Sequence, residues 1–244
     1  MNRFFMLLVS ISLYSQANFE CIGLGAACST AQALHVFNLR NSAYPFDWVS
    51  VDFSAVRRLI AEDFKDYLNP MYLRVREDNR GIINKYGVAF VHDFPIITND
   101  NILSPDWLNF LPDIQEKYER RINRFIEKCN SKNKIYFFRH CSIPRNEARK
   151  FRKLMESKYP NLDFVLVAVG NDPKYAQSWG EQKIRNYYLN DTQVWNDVKE
   201  WQRIFTDLGL ISEVKTSLHF KVEEYARGLC GNCEYCQRKK LQLN

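Results

Sequence analysis

Apolar residues along the chain fall into two rhythms. Near-continuous runs stand at 18–25 (NFECIGLG), 86–95 (YGVAFVHDFP), 133–142 (NKIYFFRHCS) and 161–172 (NLDFVLVAVGND). Runs of that length and purity predict strands covered on both faces, where the alternation of a half-exposed strand is lost. Between them, apolar positions recur at steps of three and four, the period of one helix face. Ala27, Ala31 and Leu34 predict a helix through CSTAQALHVFNL. Val56, Leu59, Ile60, Phe64 and Tyr67 predict a second over residues 52–68. Ile114, Tyr118, Ile122, Phe125 and Cys129 give the clearest, with Pro112 suited to its first turn. Ala148, Phe151 and Met155 mark a fourth, with Ser142 as its expected cap. Val194, Val198, Trp201, Phe205 and Leu208 mark the last, and LISEVKTS (210–217) offers one more strand. Residues 69–85 and 173–193 read as loops.

The resulting order, β-α-α-β-α-β-α-β-α-β, predicts an α/β fold. Its form is a mostly parallel sheet with helices on both faces, a three-layer single domain. The 46% hydrophobic share of 244 residues is enough for one sizeable core.

The two ends depart from this pattern. Arg3, the apolar stretch Phe4–Tyr14 and the small-x-small run Ser15-Gln16-Ala17 predict a signal peptide over 1–17. The α/β domain then spans 18–220, and a basic, Cys-rich tail spans 221–244. The expected location is secreted or periplasmic/lumenal, with no stable membrane span after cleavage, because the apolar run is short for a bilayer. The net charge of +6 is mild, and the short runs RKFRK and RKK read as solvated helix faces, so no nucleic-acid partner is expected.

Seven cysteines leave one over if the rest pair. The tail's CGNCEYC holds three within seven residues, Cys230, Cys233 and Cys236. Disulfides, free thiols, or a metal knuckle completed by Cys141 or His219 all remain open there, three close ligands being one short of a zinc site. No cofactor or metal is expected elsewhere. GLGAAC lacks the third glycine of a dinucleotide fingerprint.

Open α/β sheets build their sites at the carboxyl ends of strands. Gly25 to Cys28, His92-Asp93, Arg139-His140-Cys141 and Asn171-Asp172 fall there. A cysteine at a helix start is favoured as thiolate. An imidazole would shuttle its proton, and a carboxylate would orient the imidazole. Cys28, His92 and either Asp93 or Asp47 supply those types, with backbone N–H groups of Ala26 to Cys28 as an oxyanion site. A buried small residue beside a glycine turn is the competing reading of Cys28. SAYPFDW (42–48) is either an aromatic plug or a pocket wall. Gly25, Trp48, Arg139, His140 and Asn171 are the candidate substrate contacts, Arg139 being equally suited to a structural salt bridge.

The stretch IGLGAACSTAQALHVFNLRNSAYPFDWVS, followed by YGVAFVHDF and KIYFFRH, resembles a mainly bacterial family described as putative papain-like cysteine peptidases. The shared pattern is a Leu-Gly-x-x-Cys opening, a helix ending in Leu-Arg, a Ser-x-Tyr-Pro-Phe-Asp-Trp box and a Phe-x-His-Asp-Phe box, over roughly residues 19 to 170. The resemblance implies a cysteine peptidase or related thiol hydrolase acting on an amide or acyl bond of a peptide, acyl or glycan substrate. It implies Cys28 as nucleophile, His92 as base, and Asp93 or Asp47 as third member. It also implies a cysteine helix packed on an antiparallel barrel, against the βα alternation read above. Two other readings use the same residues. One is a glycan- or nucleotide-sugar-related transferase without a thiol step, built on Asp47, Arg139 and Asn171-Asp172. The other is a binding protein whose aromatic box holds a partner.

Overall fold

The computed structural model describes residues 19–26, 28–97, 102–190 and 198–212. The expected signal peptide, the Cys-rich tail and His219 lie outside the described residues. The strands are β1 (Phe19–Gly23), β2 (Val49–Ser50), β3 (Arg74–Val75), β4 (Ile82–Ile83), β5 (Ala89–Phe90), β6 (Ile96–Ile97), β7 (Ile102–Leu103), β8 (Lys134–His140), β9 (Phe164–Gly170) and β10 (Ile184–Tyr188). The helices are α1 (Ser29–Val36), α2 (Phe53–Ala61), α3 (Leu111–Cys129), α4 (Arg145–Lys158) and α5 (Val198–Asp207).

The chain is a mixed α/β domain built on a four-stranded parallel sheet in the order β1-β8-β9-β10. Successive strand residues point to opposite faces, and each face collects its own core. Ile22, Ile135, Phe137, Phe164 and Leu166 pack with residues of α2, α3 and α4. Cys21, Phe138, Val167, Val169 and Tyr187 pack with Ala33 and Leu34 of α1 and with Trp201, Ile204 and Phe205 of α5. Burial of both faces is why β8 and β9 are apolar almost without interruption.

The second region lies within the long connection between β1 and β8. Its strands are two residues each and all antiparallel, in the order β2-β5-β4-β3, with β6 and β7 a separate pair. The expected parallel sheet therefore holds for β1 and β8–β10 only. The run 86–95 does not enter it: only Ala89 and Phe90 are strand, paired with β2 and β4.

Other expectations shift as well. The helix expected over 52–68 stops at Ala61, because Asp63, Phe64 and Asp66 adopt left-handed φ of 51°, 57° and 59°. Phe64, Tyr67 and Leu68 are still buried, delivered by turns rather than by a helix face. Ser142 does not cap α4, which begins at Arg145 after Pro144. The segment 173–193, read as loop, contains β10, and Leu210–Ser212 are not strand.

Candidate active site

The end of β1 is where the sheet meets the second region. Gly25 and Ala26 follow it with φ of 73° and 82°, two left-handed residues in succession. A Cβ at Gly25 would stand 2.5 Å from Val51 Cγ1, so both conformation and space demand glycine there. A non-glycine residue in that region is a known store of backbone strain, of order 1–3 kcal/mol. The turn delivers Cys28 to the N-cap of α1, where its carbonyl accepts the first helical bond, from Gln32 N–H at 3.0 Å.

Cys28 is 8% exposed, and its Sγ lies 3.1 Å from His92 Nε2. His92 sits two residues beyond β5, in a bend. The thiol and the imidazole, 64 residues apart in sequence, thus come from the two different regions. The Trp48 ring stands nearly perpendicular to the imidazole, with centroids 6.1 Å apart.

The two candidate carboxylates are anchored elsewhere. Asp93 takes the Lys117 ammonium at 2.5 Å on one oxygen and the Tyr118 hydroxyl at 2.8 Å on the other, both from α3. Burial, with the Asp93 charge added, pushes the Tyr118 hydroxyl well above its ordinary range. Asp47 is 2% exposed and accepts from Arg40 Nε at 3.1 Å and Tyr44 N–H at 3.0 Å on one oxygen. Burial raises its carboxyl above the ordinary value, against the opposing pull of Arg40 and the Tyr44 amide.

The SAYPFDW box packs as a plug. Tyr44, Phe46 and Asp47 are buried, while Trp48 is half-exposed beside His92. Arg139 is 4% exposed, and its two terminal nitrogens donate to the carbonyls of Leu24 at 2.8 Å and Val51 at 2.9 Å. Its guanidinium lies over Phe53, and burial brings its pKa down to about 10. It ties the turn before Cys28 to the segment after the box.

His140, at the end of β8, places Nδ1 2.8 Å from Ser29 Oγ, one residue past the thiol, and packs against Trp201. Asn171 takes the Ser142 hydroxyl at 3.0 Å on Oδ1, while its own N–H donates to Ser142 Oγ at 3.1 Å. Gly170 beside it is required, since a Cβ would meet Ser142 Oγ at 2.5 Å. His140 and Asn171 therefore share the carboxyl edge of the sheet with Cys28, on neighbouring strands.

Ser29, Arg40, Lys117, Tyr118 and Ser142 were not among the residues singled out for the site. Arg40 had a signal, standing at the end of the Leu-Arg element just before the box. Lys117 and Tyr118 had none beyond a helical period.

Three other cysteines lie among the described residues. Cys21 and Cys129 are buried free thiols whose pKa is raised by burial, and Cys141 is exposed. Among the described residues no three His, Cys, Asp or Glu side chains gather as metal ligands. Among them also, no helix is long and apolar enough to cross a membrane.

A family model described as putative papain-like cysteine peptidase matches residues 19–172, which contain the Cys28 turn, the aromatic box, His92 and the ends of β8 and β9. Comparison with curated proteins and with solved structures found no match.

Proposed function

Because the chain belongs to the family described as putative papain-like cysteine peptidases, we propose that it is a thiol hydrolase that cleaves an amide or acyl bond of a peptide substrate. Cys28 is the nucleophile and His92 its general base. The observation that carries the reading is the 3.1 Å approach of His92 Nε2 to Cys28 Sγ at the start of a helix. That distance is within reach of direct proton transfer, and the helix start favours the thiolate.

The steps follow from those two groups. His92 takes the thiol proton, and the thiolate adds to the substrate carbonyl carbon, forming a C–S bond and an oxyanion. The backbone N–H groups of Ala26, in the strained turn, and Cys28, at the helix start, hold that oxyanion. His92 then gives its proton to the leaving amine as the C–N bond breaks, which leaves a thioester. Water, deprotonated by His92, adds to the thioester. The C–S bond breaks, the acid product departs, and Cys28 recovers its proton. Gly25 permits the turn that delivers Cys28, Trp48 walls the site, and His140 and Asn171 line its far side along the sheet edge. Asp93 supports His92 by fixing the adjacent backbone to α3, and Arg139 holds the Cys28 turn in place. We propose a secreted or lumenal setting for this chemistry, on the apolar stretch Phe4–Tyr14 behind Arg3.

A p-nitrophenyl ester tests the reading without knowledge of the natural substrate. The expected result is a burst of nitrophenol and a transient acyl adduct on Cys28, seen by peptide mass spectrometry. Cys28→Ala removes both, and His92→Ala slows acylation by about a hundredfold or more. An adduct on another residue, or an undiminished burst in Cys28→Ala, would overturn it.

A further inference from the structure

We infer that Trp48 is the positioning residue for His92, and that Asp47 and Arg40 act on the dyad through it. The inference rests on the Cys28–His92 reading above and goes beyond it.

Five observations carry it. Trp48 has φ +68°, a left-handed conformation that a bulky side chain seldom adopts and that persists only where surrounding structure imposes it. Its indole stands at 87° to the His92 ring, with centroids 6.1 Å apart. The Arg40 guanidinium lies over the same indole, 5.9 Å from its centroid. Arg40 Nε in turn donates to Asp47 Oδ2 at 3.1 Å. Asp47 is seated against the end of β1, where a Cβ on Gly23 would come within 3.0 Å of its Oδ1. A continuous series of contacts therefore runs from the strand that delivers the nucleophile, through Asp47, Arg40 and Trp48, to the imidazole facing that nucleophile.

Such a series has a physical use. An imidazole on a bend has two rotatable side-chain bonds, and only some of its orientations aim Nε2 at Sγ. A large ring braced from behind removes the others, and catalytic groups need to be held within about 0.5 Å of the productive geometry. Cys28 at the start of α1 faces the imidazole, and Asp93 follows it in the chain, held by Lys117 and Tyr118 of α3, with Arg121 over the Tyr118 ring. Ser29 and His140 lie across the turn. None of these is altered by replacing Trp48.

The test is the rate of iodoacetamide alkylation against pH on the full chain, with Cys28 followed separately from Cys141 and the tail cysteines by peptide mass spectrometry. Wild type is compared with Trp48→Leu, Trp48→Phe and Arg40→Gln. In Trp48→Leu, the Cys28 rate near pH 6 is expected to fall about tenfold. Its pH midpoint should move up toward the value of an ordinary thiol, about 8.5. Trp48→Phe should restore most of the wild-type profile, Arg40→Gln should fall between, and Cys141 should not change. If wild-type Cys28 reacts like Cys141, the dyad reading fails and takes this inference with it. If wild-type Cys28 is activated and folded Trp48→Leu keeps its midpoint, the dyad stands and the positioning role is overturned. Should Trp48→Leu not fold, unchanged profiles in both Trp48→Phe and Arg40→Gln overturn it equally.

Discussion

The parallel sheet and the antiparallel region that faces it solve the same problem by different means. In the sheet, β8 and β9 are seven residues long and satisfy each other's backbone through a regular ladder. In the antiparallel region the strands are two residues long, and individual side chains do much of that task. Asn84 donates to the Tyr67 carbonyl and accepts from the N–H groups of Tyr86 and Val88. The Tyr67 hydroxyl donates to the Pro45 carbonyl, Gln115 to the Leu68 carbonyl, and Arg139 to the Val51 carbonyl. The aromatic rings of Phe46, Phe64, Tyr67, Phe90 and Tyr118 then fill the space beneath. Cys28 is thus mounted on the ladder and His92 on a scaffold of single contacts. A site divided this way has one rigid half and one half that a few substitutions can retune.

The largest effect should come from the ladder side. Phe137 is fully buried among Phe125, Phe151 and Phe164. Phe137→Ala should cost about 3–5 kcal/mol of global stability in denaturant unfolding. A loss below about 1 kcal/mol would mean that the sheet core is not the dominant store of stability.

A smaller effect is expected at Asn84, with a different signature. Asn84→Ala strands three backbone groups and should cost about 2–3 kcal/mol. It should also slow Cys28 alkylation in the folded protein, because the region carrying His92 loosens before the sheet does. If denaturant midpoint and alkylation fall together in both variants, the two regions are one cooperative unit and the contrast breaks.

The smallest effects lie in pH dependence, and here the regions should differ in sign. Glu181, before β10, is held to about 2 by its hydrogen bonds to Arg149 and Arg145 of α4. Its contribution is fully present above the ordinary glutamate value of about 4.3 and fades as pH falls toward 2. Asp47 runs the other way. Burial raises its native pKa, so wild type should lose stability relative to Asp47→Asn as pH rises from about 3.9 through the native value. Acid titrations of unfolding midpoint for Glu181→Gln and Asp47→Asn check both. Slopes of the same sign would contradict the burial argument for Asp47.

The difference between the regions also explains what could be read from the chain. β1, β8, β9 and α3 were legible because burial on a regular element writes a period into the sequence. β10 was missed because IRNYY, the last strand of the sheet among the described residues, carries polar residues and has no such run. The stretch 86–95 looked like a buried strand and is buried, but its pairing is set by Gly87 (φ 80°) and the Asn84 turn rather than by periodicity. Cys28 and His92 were legible as residue types at element ends. Their neighbours were not. Asp93 stands next to His92 in the chain yet turns to Lys117 and Tyr118 on α3, and Arg139 reads as a substrate cation until the closing of the Cys28 turn buries it. Contacts between distant segments leave no local pattern to read.

The most direct test is the pKa of the Cys28 thiol in wild type and in His92→Ala, followed by thiolate absorbance or site-resolved alkylation. A paired nucleophile predicts a wild-type midpoint below about 7 and a return to about 8.5 or higher without the imidazole. A wild-type midpoint at or above about 8.5, unchanged in His92→Ala, would make the 3.1 Å approach a packing contact between neutral groups and contradict the assignment of Cys28 as nucleophile.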